Sequence, residues 1–396
     1  MKKYYSEILI LSLLAIIIGV LTGAVDAFFG IILLKLSDFR TEYFVYLIPF
    51  LAPVGVFIAW SYQKYAGRAA KGMGLVFDVG FGNEDVIPSK LIPFSIISTW
   101  LTHLFGGSAG REGVAVQLGA TISNNLGNLL GLKKYKQTLV IVGMAAGFGG
   151  LFQTPLAAAF FAIEVMIAGK LNYKILLPAL IGAFTASSVS NFLGLEKFTF
   201  SLNNIPDYDY TQIFKVAFLG ILFGLIGFLF SYLLAYAKVK LTKLFPNPLI
   251  KIAVGGVILS ILMFIFFQGR YSGLGTNLIS IALDEQKIYS FDFILKLLLT
   301  ILTLSVGFQG GEVTPLFAIG ASLGAIMAPI LGLPVAFCAA LGYASVFSSA
   351  TNTFLAPVLI GCEVFGFNTL PFFIISIALS YTFNFNKSIY GAQKVI

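Results

Sequence analysis

Charged side chains are scarce in this sequence of 396 residues, at 11% of positions, whereas hydrophobic residues make up 58%. A soluble domain needs charged residues at about a quarter of its positions to cover its surface. The scarcity therefore excludes a soluble globular protein and predicts an all-α polytopic membrane protein. The apolar run of residues 8–34 is too long for the core of a signal peptide, so we expect it to remain as the first membrane helix.

Cysteine and histidine are also rare, with two cysteines and one histidine. Cys338 and Cys362 lie in apolar segments, and their spacing suggests neither a disulfide nor a metal site, so we expect both in the core. His103 is either a proton relay or, as we favour, a hydrogen-bonded helix residue. Asp26 and Lys296 lie within apolar helices, where they face the interior or snorkel. We expect no metal, no cofactor and no enzymatic activity.

The formal net charge of +8 is spread over short loops between apolar segments. This distribution is typical of the positive-inside rule and does not indicate a nucleic-acid partner. It predicts a cytoplasmic N-terminus and places residues 38–42 and 196–209 outside. The basic residues expected in the cytoplasm are Lys2, Lys3, Lys64, Arg68, Lys71, Lys133, Lys134, Lys136, Lys170, Lys174, Lys238, Lys240, Lys243 and Lys251.

The most informative segment is residues 106–117, GGSAGREGVAVQ, which inserts an arginine and a glutamate into a long apolar tract. The glycines end the preceding helix, and a new helix is predicted from residue 114 to 130. Glu112 would then lie at a helix start inside the bilayer, where free N–H groups and the helix dipole favour an anion. We interpret it as a gating and proton-transfer residue. The alternative is a structural cap paired with Arg111.

Apolar runs predict further helices at residues 43–62, 91–105 and 175–193, and two short helices on either side of residues 147–154. Gly72-Met73-Gly74 opens a segment that is too short to cross a membrane and reads as a half-helix. Broken helices of this kind mark the binding sites of transporters.

The second half of the chain repeats the first. Gly110 and Gly311 are 201 residues apart, and Glu164 and Glu363 are 199 apart within a run of matches at that spacing. With the predicted orientation, this indicates an inverted-topology repeat whose half-helices meet at the bilayer midplane. The predicted units are residues 1–195, an extracellular linker at 196–210, and residues 211–396 with a C-terminal helix.

The second repeat has its own break at residues 310–316, GGEVTPL. Thr314 before Pro315 is typical of a helix start, with the threonine as N-cap. The simpler reading gives Thr314 only this capping role. Glu312 places a second carboxylate at a second helix start, and we interpret it as a second gating and proton-transfer residue.

Together with Tyr390, these breaks make the chain resemble the CLC family of anion channels and anion/proton antiporters over nearly its whole length. The resemblance implies a homodimer with one pore per subunit, in which the helices of residues 155–165 and 353–364 lie at the interface. It also implies that Glu112 gates the anion path and carries protons. The implied anion-binding residues are Gly72, Met73, Gly74, Gly110, Arg111, Gly113, Val313, Thr314 and Tyr390.

Three departures indicate the fluoride-exporting branch of that family. Met73 replaces the serine of chloride-selective members, the third motif reads EVTP, and Val165 replaces an internal proton-carrying glutamate. The expected function is fluoride/proton antiport in a bacterial inner membrane, with donors from Thr314, Tyr390 and backbone N–H groups. The alternatives are a chloride or nitrate channel or antiporter, and a membrane scaffold or sensor, which leaves both carboxylates unexplained.

Overall fold

The computed structural model describes the backbone of residues 2–396 and the side chains of residues 7–396. The side chains of Lys2 and Lys3 therefore lie outside the described residues. The first half of the chain folds into α1 (Lys2–Leu47), α2 (Leu51–Ser61), α3 (Met73–Phe81), α4 (Leu91–Leu104), α5 (Glu112–Leu129), α6 (Lys136–Phe152), α7 (Pro155–Glu164) and α8 (Leu176–Phe192). The second half folds into α9 (Tyr210–Leu244), α10 (Pro248–Ile265), α11 (Thr276–Leu283), α12 (Asp292–Val306), α13 (Val313–Leu331), α14 (Val335–Thr351), α15 (Leu355–Phe365) and α16 (Leu370–Thr382).

This architecture confirms the predicted all-α fold. Five helical stretches of the described chain are long and apolar enough to cross a membrane, among them Tyr210–Leu244. The predicted half-helix is α3, which is nine residues long, and the predicted linker has no helix between α8 and α9. Cys338 and Cys362 are both buried, as expected.

The first two helices differ from the prediction. α1 continues to Leu47, so residues 38–42 are helical and not a loop. The helix kinks at Tyr43 and is followed by a short 3₁₀ turn, Ile48–Phe50, in which Pro49 has no backbone N–H to continue the α-helical ladder. The boundary between α1 and α2 therefore lies at Pro49 and not at residues 38–42.

Two helices flank the predicted break at residues 147–154, but the break itself is confined to Gln153 and Thr154. α6 runs through the glycine-rich residues 147–152 and ends at Phe152, with Gln153 in a left-handed conformation. A Cβ on Gly147 would lie 2.1 Å from the Ala115 carbonyl oxygen on α5. These glycines therefore allow close helix packing and do not break the helix.

The two halves pack their central helices in the same way. A Cβ on Gly119 of α5 would lie 2.0 Å from the carbonyl oxygen of Gly143 on α6, and a Cβ on Gly320 of α13 would lie 2.0 Å from that of Gly342 on α14. Both contacts join residues that match between the repeats. Such close backbone approach is possible only with glycine.

The end of the chain does not form the predicted C-terminal helix. After α16 the chain turns, and Lys394–Val395 forms strand β2, which pairs in parallel with β1, Ile167–Ala168. The amide of Gln393 donates to the carbonyl oxygens of Val165 and Thr351. These contacts attach the segment after Tyr390 to both halves of the molecule.

Candidate functional site

The two glycine-rich breaks meet in the centre of the molecule. Gly110 and Gly311 form an antiparallel bridge, with N···O distances of 2.5 and 2.7 Å. A Cβ on Gly110 would lie 2.9 Å from Cδ of Pro315, so the bridge requires glycine at this position. Because α5 and α13 begin directly after these glycines, the two helix starts face one site.

Glu112 is the first residue of α5, and only 1% of it is exposed. The hydroxyl of Thr314 donates to its carboxylate at 2.6 Å, and the backbone N–H groups of Thr314 and Arg111 lie 3.2 Å from its Oε2 atom. All three donors belong to the two helix starts, where N–H groups and the helix dipole attract an anion. The carboxylate therefore occupies an anion site to which both halves of the chain contribute.

Thr314 is not the N-cap of α13. Glu312 holds the cap position, Thr314 is the second helical residue, and Pro315 is the third. The hydroxyl donates to Glu112 instead of accepting from its own helix. The prediction failed because a Thr-Pro pair also fits inside a first turn, where the N–H that proline lacks has no partner in its own helix.

Arg111 does not form a close ion pair with Glu112. Its Nε atom lies 3.8 Å from Oε1 of Glu112, beyond hydrogen-bond distance. Within the described part of the chain, Nε and Nη1 of Arg111 have no hydrogen-bond partner. The geometry thus gives little support to a structural cap formed by the two side chains.

A cavity of about 360 Å³ lies beside the two helix starts. It contains five of the predicted anion-site residues and Glu312, but not Gly110, Arg111, Val313 or Thr314, which lie behind it around Glu112. The lining residues are Ala70, Lys71, Gly72, Met73, Gly74, Phe77, Gly113, Gln117, Lys238, Leu304, Gly307, Phe308, Gln309, Gly310, Gly311, Glu312, Ile389, Tyr390, Gly391 and Ala392.

Glu312 faces this cavity, unlike Glu112. Its side chain is 16% exposed, and its Oε1 atom lies 3.9 Å from Nζ of Lys238. A Cβ on Gly113, the residue after Glu112, would lie 3.8 Å from Oε2 of Glu312, so the Glu312 carboxylate lies close to the start of α5. Glu312 is therefore accessible from the cavity, whereas Glu112 is sealed.

Tyr390 also lines the cavity. Its ring packs against Phe77 at 5.7 Å and Phe161 at 6.3 Å between ring centroids. Its hydroxyl is buried and has no hydrogen-bond partner among residues 7–396. A buried hydroxyl of this kind is a donor available to a ligand.

Lys238 is the clearest residue at the site that the sequence reading missed, because it was counted among the basic loop residues. α9 is 35 residues long, and at 1.5 Å per residue it exceeds a hydrocarbon core of about 30 Å. Its last turns therefore carry Lys238, Lys240 and Lys243 as helical residues. The length of α9, which exceeds the thickness of the bilayer, is the signal that could have identified Lys238 as a helical residue near the site.

Two other buried polar residues singled out in the sequence, His103 and Lys296, have structural contacts. His103 Nε2 lies 3.5 Å from the carbonyl oxygen of Gly110, which fits the hydrogen-bonded reading. Lys296 faces the interior and does not snorkel, since its Nζ donates to Ser108, Tyr271 and Gly273 at 2.7–3.0 Å. Within the described residues, no group of three His, Cys, Asp or Glu side chains could hold a metal ion.

Comparison with known proteins gives concordant results. A family model described as voltage gated chloride channel matches residues 54–384. A chloride/fluoride channel protein of Pseudomonas syringae pv. tomato is 30% identical over 96% of this chain and 86% of its own length. A structure described as a CLC-type fluoride/proton antiporter is 55% identical, with a TM-score of 0.98 over 99% of both chains. A slow cyanobacterial Cl⁻/H⁺ antiporter shares the fold, with a TM-score of 0.80 over 96% of both chains at 21% identity.

Proposed function

The chain belongs to the voltage gated chloride channel family, also called the CLC family, and from this premise we propose that it is a fluoride/proton antiporter that exports fluoride. The observation that carries the proposal is the Glu112 carboxylate, which is held by Thr314 and two backbone N–H groups. The name of the solved relative at 55% identity supports the same substrate and coupling.

The proposed exchange follows from the chemistry of the Glu112 site. An ionised carboxylate competes with an anion for the same donors. Protonation removes its charge, so the same donors then favour a fluoride ion. Fluoride is strongly hydrated and needs several donors in place of water. One carboxylate thereby couples fluoride movement to proton movement in the opposite direction.

We assign the anion path to the residues predicted from the sequence. In the cavity, Gly72, Met73, Gly74, Gly113 and Tyr390 would contact fluoride, and Glu312 would exchange protons. Beyond it, Gly110, Arg111, Val313 and Thr314 would form the site that Glu112 occupies. Support comes from the meeting of the two helix starts and from the hydroxyl of Tyr390, which has no partner in the described chain.

The alternative function is a chloride or nitrate channel or antiporter. This alternative is retained because the Pseudomonas relative is named as a chloride/fluoride channel protein.

The proposed assembly is a homodimer with one pore per subunit in a bacterial inner membrane, with a cytoplasmic N-terminus. The proposed repeats are residues 1–195 and 211–396, joined by an extracellular linker at 196–210.

Ion efflux from proteoliposomes tests the proposed substrate. Vesicles loaded with fluoride, chloride or nitrate are diluted into medium without that ion, and efflux is followed with an ion-selective electrode. We expect fast, protein-dependent fluoride efflux and much slower chloride and nitrate efflux. Equal efflux of the three anions would reject fluoride as the specific substrate.

A further inference from the structure

Asp26 is a charged residue that the proposed mechanism does not use. It lies in α1 and is fully buried. A Cβ on Gly150 of α6 would lie 2.5 Å from its Oδ2 atom and 3.2 Å from Cβ of Ala186 on α8. The carboxyl group is therefore enclosed between three helices. Neither of its oxygens has a hydrogen-bond partner within the described chain.

An ionised carboxylate without donors is very unfavourable in a buried site. Asp26 must therefore hold a proton, interact with a nearby cation, or alternate between the two states. A position that had only a structural role would be expected to supply hydrogen-bond donors, as buried polar groups generally have them. The absence of donors from residues 7–396 indicates a site for a proton and water.

Arg111 is the charged residue that acts on Asp26. Of the neighbouring helices, α8 carries no charged residue, α6 carries only Lys136, at its first position, well before Gly150, and the titratable residue of α4 is His103. α5 contributes Glu112, directly after Arg111. The guanidinium group, with two nitrogens unpartnered among the described residues, thus interacts electrostatically with the carboxyl groups of both Asp26 and Glu112.

Asp26 lies away from the cavity that contains Glu312. Arg111 does not line that cavity, whereas Gly113 and Glu312 do. The side chain of Arg111 nevertheless remains 13% exposed, so water can reach the Arg111 side of the site. Glu112 therefore has Glu312 on its cavity side and Asp26 on its Arg111 side.

We propose that Asp26 is a proton-binding site that exchanges protons with Glu112 through water beside Arg111. The inference rests on the proposed fluoride/proton exchange. In each transfer an O–H bond of Asp26 breaks and one forms on Glu112, while a bridging water accepts one proton and releases another. A proton from the bulk solution, relayed by water on the Arg111 side, then reprotonates Asp26. Arg111 balances the charge of Asp26 during the interval in which it is ionised.

The test compares Asp26→Asn with Asp26→Glu and with Thr22→Val, which changes a buried, non-titratable residue one turn earlier on α1. Coupled fluoride efflux and proton uptake are recorded over a range of external pH. Proton transfer by a positioned group contributes at least about a hundredfold in well-studied cases. We expect Asp26→Asn to slow coupled efflux on the order of tenfold or more at alkaline pH and less at acidic pH. Asp26→Glu and Thr22→Val should keep the wild-type profile.

A uniform slowing with an unchanged pH profile would overturn the inference, because it is the result expected if Asp26 only balances Arg111. An unchanged rate would also overturn it. If the wild type itself moves fluoride without protons, the proposed function fails first, so the two failures are distinguishable.

Infrared spectroscopy of the wild type covers the case in which Asp26→Asn does not fold. With ¹³C-labelled aspartate, we expect a band from a protonated carboxyl group that shifts with the label and titrates with pH. The other aspartates are exposed or ion-paired, as Asp292 is with Arg270 at 2.6 Å. The absence of a shifted band over the whole pH range would overturn the proposal.

Discussion

The carboxylate of Glu112 is bound as an anion would be, by one hydroxyl and two backbone N–H groups. The hydroxyl is the donor that a substitution can remove. A hydrogen bond to a charged group contributes roughly 1.5–3 kcal/mol, which corresponds to about a tenfold or larger change in affinity.

We therefore expect Thr314→Val, which keeps the shape of the side chain, to weaken fluoride binding about tenfold or more. The measurement is the fluoride concentration at half-maximal flux in proteoliposomes. Thr382→Val is the matched control, because the hydroxyl of Thr382 bonds only a carbonyl of its own helix. An unchanged fluoride dependence in Thr314→Val would exclude the hydroxyl from the anion site.

Lys238 provides a second test at the residue scale. Its Nζ lies 3.9 Å from Glu312, and the side chain is 47% exposed at the cavity. We expect Lys238→Gln to raise the fluoride concentration at half-maximal flux by a few fold at low ionic strength, because a cation at the entrance concentrates anions. High salt should remove the difference by screening.

The control for this variant is Lys240→Gln, which removes an exposed lysine two positions later on the same helix, facing another direction. If Lys238→Gln and Lys240→Gln behave alike, the lysine acts through net charge alone and has no specific role at the cavity.

At the residue scale the sequence predicted which residues lie near the site, but not the hydrogen bonds between them. Glu112, Glu312, Met73 and Tyr390 were identified, and the structure brings all four to one region. The bond from Thr314 to Glu112 joins residues 202 positions apart, and no local pattern contains that information. Asp26 appeared only as a polar residue in an apolar helix, since its lack of partners depends on packing.

The short helices α7 and α15 each carry a glutamate that caps the start of the other helix. The carboxylate of Glu164, at the end of α7, accepts from the backbone N–H groups of Phe354, Leu355 and Ala356 at the start of α15, at 2.5–3.1 Å. Glu363 of α15 accepts from Leu156 and Ala157 at the start of α7. The two glutamates match between the repeats, so the exchange follows the internal symmetry.

We expect Glu164→Ala to destabilise the protein by about 1–3 kcal/mol, because three N–H groups that are at least partly buried lose their acceptor. The ratio of transported protons to fluoride should remain that of the wild type, since the Glu164 carboxylate is already bound by the three N–H groups and has a structural role. Thermal unfolding in detergent measures the first effect, and proteoliposome flux measures the second. Glu196→Ala, in the exposed linker, is the control. A changed proton ratio in a folded Glu164→Ala protein would instead place Glu164 on the proton route.

The helices themselves were mostly predictable from apolar runs, but their boundaries were not. α1 passes through the predicted boundary at residue 43 and ends at Leu47, before the turn that contains Pro49. Gly147 was read as a helix breaker because glycine has the same low helix propensity at breaks and at close crossings. Only the neighbouring helix, here α5 at Ala115, distinguishes the two uses.

At the scale of the whole molecule, the predicted subunit interface must be refined. Most residues of α7 and α15 are buried within one chain. Next to them, α8 and α16 expose large apolar residues, including Leu177, Phe184 and Ile374 at 43–52%. A dimer interface in this region would therefore be formed largely by α8 and α16.

Combining Leu177→Trp with Ile374→Trp should shift the protein from dimer to monomer, because added bulk disrupts a close interface. Light scattering after size-exclusion chromatography in detergent measures the mass. Ile261→Trp, on an exposed face of α10, should remain dimeric. A wild type that is monomeric, or a double variant that stays fully dimeric, would contradict this interface.

The overall architecture was predictable because the repeat and the two glycine-rich breaks are visible in the sequence. The order of the helices followed from them, while the route of the last residues did not. The short parallel pairing of β1 with β2 depends on two segments more than 200 residues apart. Sequence patterns of two residues carry no signal for such a pairing.

Uphill proton movement tests the central claim most directly. Vesicles with high internal fluoride and an interior already more acidic than the medium are prepared with potassium and valinomycin to dissipate the membrane potential. The account predicts that fluoride efflux drives further proton uptake against the pH gradient in the wild type, and that Glu112→Gln abolishes this uptake. Protein-free vesicles measure the passive leak. Fluoride efflux through the wild-type protein without proton uptake would contradict coupled exchange.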